Sequence, residues 1–405
     1  MKPKLRAVQP TLIDHQGSPY IVLSDPLRLS EETIAIPHPL APLLELCDGT
    51  RDVPTLQTAF ELRTGIRLEE ETIQGIVTQL DKSLLLHSDL FIQARDVVIS
   101  QFQSAPARPP ALAGAGYPAD PDELRYMLSE YLGNIPDDSN TKSSSNLIKG
   151  VISPHIDFQR GGEVYAQVWS KATRAIEDID LAIIFGTNHF GGDRLFTLTR
   201  QNYSTPWGIL PTATDIVDKL SDALGETSAF EDELHHRNEH SIELALIWLH
   251  YFLGDRKCEL VPILCGSFEH FINSGEEPRH HKDISAVVDC LQKVVGSHRA
   301  LVVAAADLAH MGPVFGDYSP IDTTERAKIN AADEGLLKSM CSADAEGFFN
   351  QIKNEKDRRR ICGLAPIYMT LRTLENSQGE TAGYIQCPAD QINGSLVSIC
   401  GVGLR

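Results

Sequence analysis

The sequence has no Cys-x-x-Cys pair, no apolar run long enough to cross a bilayer and no excess of basic residues, and each absence removes a class of function. The eight cysteines are Cys47, Cys258, Cys265, Cys290, Cys341, Cys362, Cys387 and Cys400, scattered through apolar segments. They read as free, buried thiols of a reducing compartment, with Cys362 standing apart. Lys and Arg number 36 against 55 Asp and Glu, a net charge of −19. A nucleic acid is excluded as partner, because phosphate binding needs clustered Lys and Arg, and an anionic membrane surface is disfavoured on the same ground. No stretch reaches the roughly 18 apolar residues of a membrane span. The opening MKPKLRAVQP leads into no apolar segment, so no secretory signal is read and a cytoplasmic location is expected.

What is present fits two soluble domains: 405 residues, 42% hydrophobic and 22% charged. Residues 1–98 form the first. An extended piece at Pro19–Leu23 precedes apolar residues at helical spacing in HPLAPLLELCDG, VPTLQTAFELR and EEETIQGIVTQLDKS, with breaks at Asp48-Gly49 and Gly65. LLLHSDLFI is expected as a strand or hairpin, giving a small α+β, winged-helix-like module. It resembles the PqqD-type domains, which bind peptides; its nine basic and fourteen acidic residues in positions 1–100 disfavour DNA. A Pro- and Ala-rich linker over 99–111 is expected to be an exposed connector, and residues 137–145 a mobile loop.

From there strands and helices alternate. LIKGVIS, DLAIIFG, CELVPIL, ALVVAAA and SLVSICGVG are short continuous apolar runs, the pattern of strands covered on both faces. Amphipathic stretches over 163–174, 213–224, 240–253, 284–296, 325–340 and 364–376 lie between them. The expected class is α/β, a Rossmann-like, mostly parallel sheet with helices on both faces.

The polar residues gather where strands end. GVIS runs into Pro154-His155-Ile156-Asp157, AIIFG into Thr187-Asn188-His189, and VVAAA into Asp307-Leu308-Ala309-His310. In open α/β sheets the carboxyl edge is where ligands bind, so three histidines there point to one shared site. Two imidazoles and a thiolate make a plausible metal set, and Cys362 at the start of an apolar helix could supply the thiolate. Its helix terminus and the preceding Asp357-Arg358-Arg359-Arg360 are expected to lower its pKa; packing at a helix start is the competing reading. Asn238 suits a helix cap, Glu239 and Glu243 share one helix face, and His240 can touch Glu243. A solvated acidic first turn would explain the same residues. The pairs His235-His236 and His280-His281, in charged loops, are expected at the surface.

Five segments together resemble the MEMO family, whose bacterial members are labelled AmmeMemoRadiSam system protein B: SPHIDFQRGG (153–162), IIFGTNHFGG (183–192), NEHSIELAL (238–246), AAADLAHMG (304–312) and RRICGLAPI (359–367). LAGAGYPADPDEL (112–124) and NGSLVSICGVGL (393–404) match the family's start and end, so the resemblance spans about residues 108–405. It implies a fold similar to class III extradiol dioxygenases and a domain beginning near residue 112. It further implies metal ligands at His155, His189 and Cys362, an acid/base residue at His310, Asp307 orienting His310 or a metal-bound water, and a pocket segment containing His240 and Glu243. Glu239 and Asp157 are expected around that pocket. Phe190 stands where many relatives carry histidine, and Ala365 where some do, which makes the pocket more apolar.

The implied cofactor is one transition metal, Fe(II) first, with copper or zinc as alternatives. A thiolate in place of the dioxygenases' carboxylate keeps their reaction from being transferred directly. The expected function is a metal-dependent oxidoreductase; the alternative is a peptide- or phosphopeptide-binding module using the same cleft. Zinc hydrolysis fits the ligand types but lacks an HExxH spacing. The bacterial family label implies a radical SAM protein and an AMMECR-type protein as partners.

Overall fold

The computed structural model describes residues 2–135 and 147–405. The polar stretch 137–145 lies outside the described residues. The chain divides into two compact units, Met1–Ala105 and Pro106–Arg405.

In the first unit, β1 (Gln9–His15), β2 (Ser18–Ser24) and β3 (Ile34–Pro37) form an antiparallel sheet in that order. Four helices follow: α1 (Ala41–Leu46), α2 (Val53–Thr64), α3 (Glu70–Lys82) and α4 (Asp89–Ser104). Leu23, Ile34 and Ile36 of the sheet share a core with Leu43, Leu56, Phe60, Ile73, Val77 and Leu80 of α1–α3. The Asp52 carboxylate caps α2 at the Thr55 amide, and Gly65 ends it at φ 73°, a left-handed conformation suited to glycine. LLLHSDLFI forms no hairpin. Leu86 makes a single bridge to Leu5, and Ser88 then caps α4 through the Phe91 amide. The Ser88 cap with Asp89 behind it is a helix start that outweighs the β-propensity of the preceding leucines.

That helix runs to Ser104, through much of the span expected as linker. The residues after it are packed: Ala107 and Arg108 are buried, and Arg108 bridges Tyr203.

The second unit begins with α5 (Pro121–Gly133), β4 (Gly150–Ser153), α6 (Phe158–Ile176), β5 (Leu181–Thr187), β6 (Phe196–Leu198) and the hairpin β7 (Tyr203–Thr205) with β8 (Gly208–Leu210). It continues with α7 (Thr214–Leu224), α8 (Glu226–Phe230), α9 (His235–Asn238), α10 (Ser241–Leu253), β9 (Glu259–Cys265), α11 (Glu269–Asn273), α12 (Lys282–Ser297), β10 (Ala300–Ala305) and β11 (His310–Met311). It closes with α13 (Thr323–Cys341), α14 (Ala345–Asn354), α15 (Leu364–Thr373), β12 (Gly379–Pro388) and β13 (Leu396–Leu404).

The sheet runs β11-β13-β4-β10-β5-β9-β6, with β12 on β13. Its centre, β4-β10-β5-β9, is parallel; β13 and β6 flank it antiparallel. Side chains alternate between two cores, as the twofold repeat of a strand requires. Leu181, Ile183 and Phe185 of β5 join α7, α12 and α15 on one face, while Ala182 and Ile184 join α6 and α10 on the other. Burial on both faces is why these strands read as unbroken apolar runs. No helix among the described residues is long and apolar enough to cross a membrane.

The register decides where the site can be. Ala305 at the end of β10 lies opposite Ser153 of β4 on one side and Gly186 of β5 on the other. The segments leaving these strands, carrying His155, His189 and Asp307, therefore emerge side by side at one sheet edge. Two glycines let other segments close in. A Cβ on Gly186 would sit 2.5 Å from Ile242 Cγ1 and 2.7 Å from Ser241 Oγ, so its absence admits the start of α10. A Cβ on Gly363 would sit 2.5 Å from the Asp307 carbonyl oxygen, so its absence admits the Cys362 turn.

Candidate metal centre

His155 is buried at 2% exposure. Its backbone N–H donates to Asp307 Oδ1 at 2.8 Å, and its Nδ1 lies 2.9 Å from the Ala305 carbonyl. A carbonyl can only accept, so Nδ1 carries the hydrogen and Nε2 keeps its lone pair. Burial pushes the His155 pKa down to about 3, with the neighbouring His189 adding to the effect. The ring is a neutral donor at physiological pH.

His189 follows β5. Its Nδ1 lies 3.0 Å from Glu239 Oε1, and its backbone N–H donates to Glu239 Oε2 at 3.0 Å. Burial works against protonation of His189, but the charge and hydrogen bond of Glu239 outweigh it and raise the pKa. His240 leans on the same carboxylate, with Nδ1 3.2 Å from Glu239 Oε1. Burial takes its pKa down to about 4.

Glu239 is thus the organising residue. Its side chain is 1% exposed, and Oε1 also accepts the backbone N–H groups of His240 at 2.8 Å and Ser241 at 3.0 Å. Burial alone would raise its pKa; His189, His240 and the backbone donors hold it well below the usual carboxylate range. One ionised group both accepts the first amides of α10 and fixes the tautomer of His189, the arrangement expected around a metal-binding histidine, while the His240 ring lies beside it. The sequence reading had Asn238 as the cap and Glu239 inside the helix. The helix instead starts at Ser241, because α9 ends at Asn238 and leaves Glu239 extended.

One ring nitrogen each from His155, His189 and His240 lies within 4.8 Å of the others. The His155 ring is near perpendicular to both partners, while His189 and His240 stack at 4.7 Å. Cys362 joins from the turn before α15, its Sγ 3.3 Å from His155 Nε2 and 3.7 Å from the Asp307 carbonyl. The three imidazoles fit a single metal ion, with the Nδ1 atoms of His155 and His189 already committed elsewhere; Cys362, expected as the third ligand, touches His155 and stands outside this group of three. His240, assigned to pocket lining from sequence, is the third imidazole of this group.

Several expectations are corrected. The arginines before Cys362 do not lower its pKa. Each is held by a carboxylate: Arg358 by Glu325, Arg359 by Asp333 and Glu355, Arg360 by Asp317. Burial and the charges of Asp307, Glu239 and Asp357 push the thiol well up. Glu243 does not touch His240. It turns to the opposite side of α10, where it pairs with Arg108 and accepts from the amides of Ala111 (2.7 Å) and Leu112 (2.8 Å) and from Tyr117 Oη (2.6 Å). Arg108, fully buried, donates at 2.6 Å to both the His236 and Glu239 carbonyls, bracing the segment that carries Glu239. Asp157 caps α6 and pairs with half-exposed Arg160.

Asp307, 2% exposed, braces the His155 backbone, and burial raises its pKa. His310 directs Nδ1 to the carbonyl of Leu308, two residues back, at 3.1 Å and packs edge-to-face with Phe315. Burial lowers its pKa against the pull of Asp307, and its charge is felt at His155.

His235 and His236 are not at the surface. His236 is fully buried between Tyr203 Oη at 2.6 Å and the Thr197 carbonyl at 2.9 Å, and burial lowers its pKa to about 3. His235 lies 3.0 Å from Asn188 Nδ2 with Phe190 against its ring. Adjacent polar residues in a loop hid this from sequence reasoning. His280 is exposed as expected, while His281 is half-buried and caps α12 at the Asp283 amide.

A family model described as Memo-like protein matches residues 108–399. A MEMO1 family protein of Aquifex aeolicus (strain VF5) is 27% identical over 377 residues, 93% of this chain and 92% of the relative. A match of that extent exceeds the second unit and takes in residues of the first. MEMO1 family proteins of Methanopyrus kandleri (26% over 305 residues) and Methanobrevibacter smithii (28% over 309 residues) each cover 73% of this chain, and 96% and 97% of their own lengths. With its family model spanning most of the chain and its strand-end histidines gathered at one edge, the chain belongs to the Memo-like protein family.

Proposed function

We propose that this chain holds one transition metal between His155 and His189, with His240 and Cys362 as further donors, and acts as a metal-dependent oxidoreductase. The observation that carries the reading is the convergence of three imidazoles whose Nδ1 atoms face Ala305 or Glu239. Glu239 and the Ala305 carbonyl hold the donors in place before a metal arrives, so little ordering is left to oppose binding. The metal when bound, Fe(II) first and copper or zinc next, would supply Lewis acidity and, for iron or copper, electron transfer.

The chain's own residues do the rest. Asp307 fixes the backbone that presents His155. His310 is the candidate to pass a proton; its Nδ1 faces the Leu308 carbonyl, and burial holds its pKa below the ordinary histidine value. The half-exposed side of His189 leaves the site open to a ligand from solvent.

The test is anaerobic purification followed by elemental analysis and oxygen-uptake measurements on the Fe(II)-loaded protein. One metal per chain and oxygen consumption above that of free Fe(II), both lost in His155→Ala and His189→Ala, are expected. One metal per chain with no oxygen consumption would support a binding role for the same cleft instead. Absence of stoichiometric metal would overturn the reading.

A further inference from the structure

Beside the imidazoles lies a cavity of about 460 Å³, bounded by His189 and Cys362 on one side and by α11 on the other. The volume sits near the low end of small-molecule sites, roughly 300–1,000 Å³. Its inner wall is apolar and buried: Phe268, Ile272, Ile361, Leu364 and Ala365 are each under 10% exposed. The rest of its lining is polar and includes the charged side chains of Glu269, Lys356, Asp357 and Arg360. A cavity with one apolar wall, opening onto His189 and Cys362, has the form of a site for a molecule with one end at the metal and an apolar body laid against that wall.

Resting on the metal reading above, we infer that this cavity receives the apolar body of the ligand, and that Ala365 sets the size of the body it takes. The ligand class follows: a compact molecule with an oxygen-donor head and a ring-sized apolar body. Ala365 is 4% exposed, on the first turn of α15, three residues from Cys362. Its methyl is the smallest side chain on the apolar wall, and a larger one there would grow into the space. Ile272, 9% exposed on α11, limits the cavity from the other side.

The probes are acetohydroxamate, which is a chelating head with a methyl, and benzohydroxamate, which adds a phenyl ring. Both are titrated into the full chain loaded with Co(II), following the visible absorption of the metal. Benzohydroxamate is expected to bind at least about tenfold tighter, the scale of discrimination by apolar pockets. Ala365→Phe is expected to reduce that preference to under about threefold while acetohydroxamate still binds. Ile272→Ala, which removes volume instead of adding it, is expected to move the preference toward 2-naphthohydroxamate and guards against misfolding of the first variant. Equal binding of both hydroxamates with full Co(II) occupancy, or a preference untouched by both variants, would overturn the cavity assignment and leave the metal reading standing. Failure of the wild-type chain to take up Co(II) would overturn the metal reading, and this inference with it.

Discussion

Glu239 receives His189 twice, at Nδ1 and at the backbone N–H, both at 3.0 Å, and in doing so ties the end of β5 to the start of α10. A carboxylate with 1% of its side chain exposed is costly to keep ionised, and it remains so because four donors from three residues surround it.

Glu239→Gln keeps the shape but loses the charge that sets the tautomer of His189. Metal affinity is expected to fall roughly 10–100-fold, the usual effect of losing such a partner. Competitive titration with a metal-binding dye reads it. Unchanged affinity would remove Glu239 from the account.

Metal uptake should also depend on pH through His189. Its proton must leave before the nitrogen can bind a metal, and Glu239 holds that proton to a pH above the ordinary histidine value. Affinity is therefore expected to weaken as pH falls from the neutral range, starting above the usual 6.5. His155 and His240, with pKa values near 3 and 4, are already neutral there and do not compete. In Glu239→Gln the onset should move to lower pH; an onset that stays in place contradicts the assignment.

How much of this could be read from sequence follows from particular residues. The strand-end histidines were legible because buried parallel strands leave an unbroken apolar signature and the residue after each run is fixed in place. The apolar runs alone therefore place His155, His189 and Asp307 at one edge. Glu243 was not legible: helical spacing puts it one turn from Glu239, but Glu239 lies outside the helix, so the two face different ways. Arg108 was missed because Pro-rich surroundings read as linker, and nothing local marks a buried arginine whose partner is 135 positions away. The same long range hid Glu325, Asp333 and Asp317, three of the four carboxylates that occupy the arginines before Cys362.

Arg108→Met tests the brace. It leaves Glu243 buried with its charge uncompensated, a change that typically costs about 3–5 kcal/mol. Chemical denaturation of the second unit is expected to show a loss on that scale, and metal affinity should drop because the Glu239 carbonyl loses its donor. A stability change below about 1 kcal/mol would show that the pair is dispensable.

His236 makes stability pH-dependent by itself. Its folded pKa of about 3 lies below the unfolded value near 6.5, so between these the unfolded chain binds the extra proton and stability falls as pH falls. One such group contributes on the order of 2 kcal/mol between pH 8 and pH 5. His236→Gln is expected to flatten the acid side of the Tm profile; an unchanged slope would contradict it.

The central claim is the place of the metal, and anomalous scattering from crystals grown with Fe(II) in the absence of oxygen tests it most directly. One peak within bonding distance, about 2.0–2.4 Å, of ring nitrogens of His155 and His189 and of at least one of His240 and Cys362 is the result the account predicts. A loaded crystal with its peak elsewhere, or with these imidazoles unliganded, would contradict it.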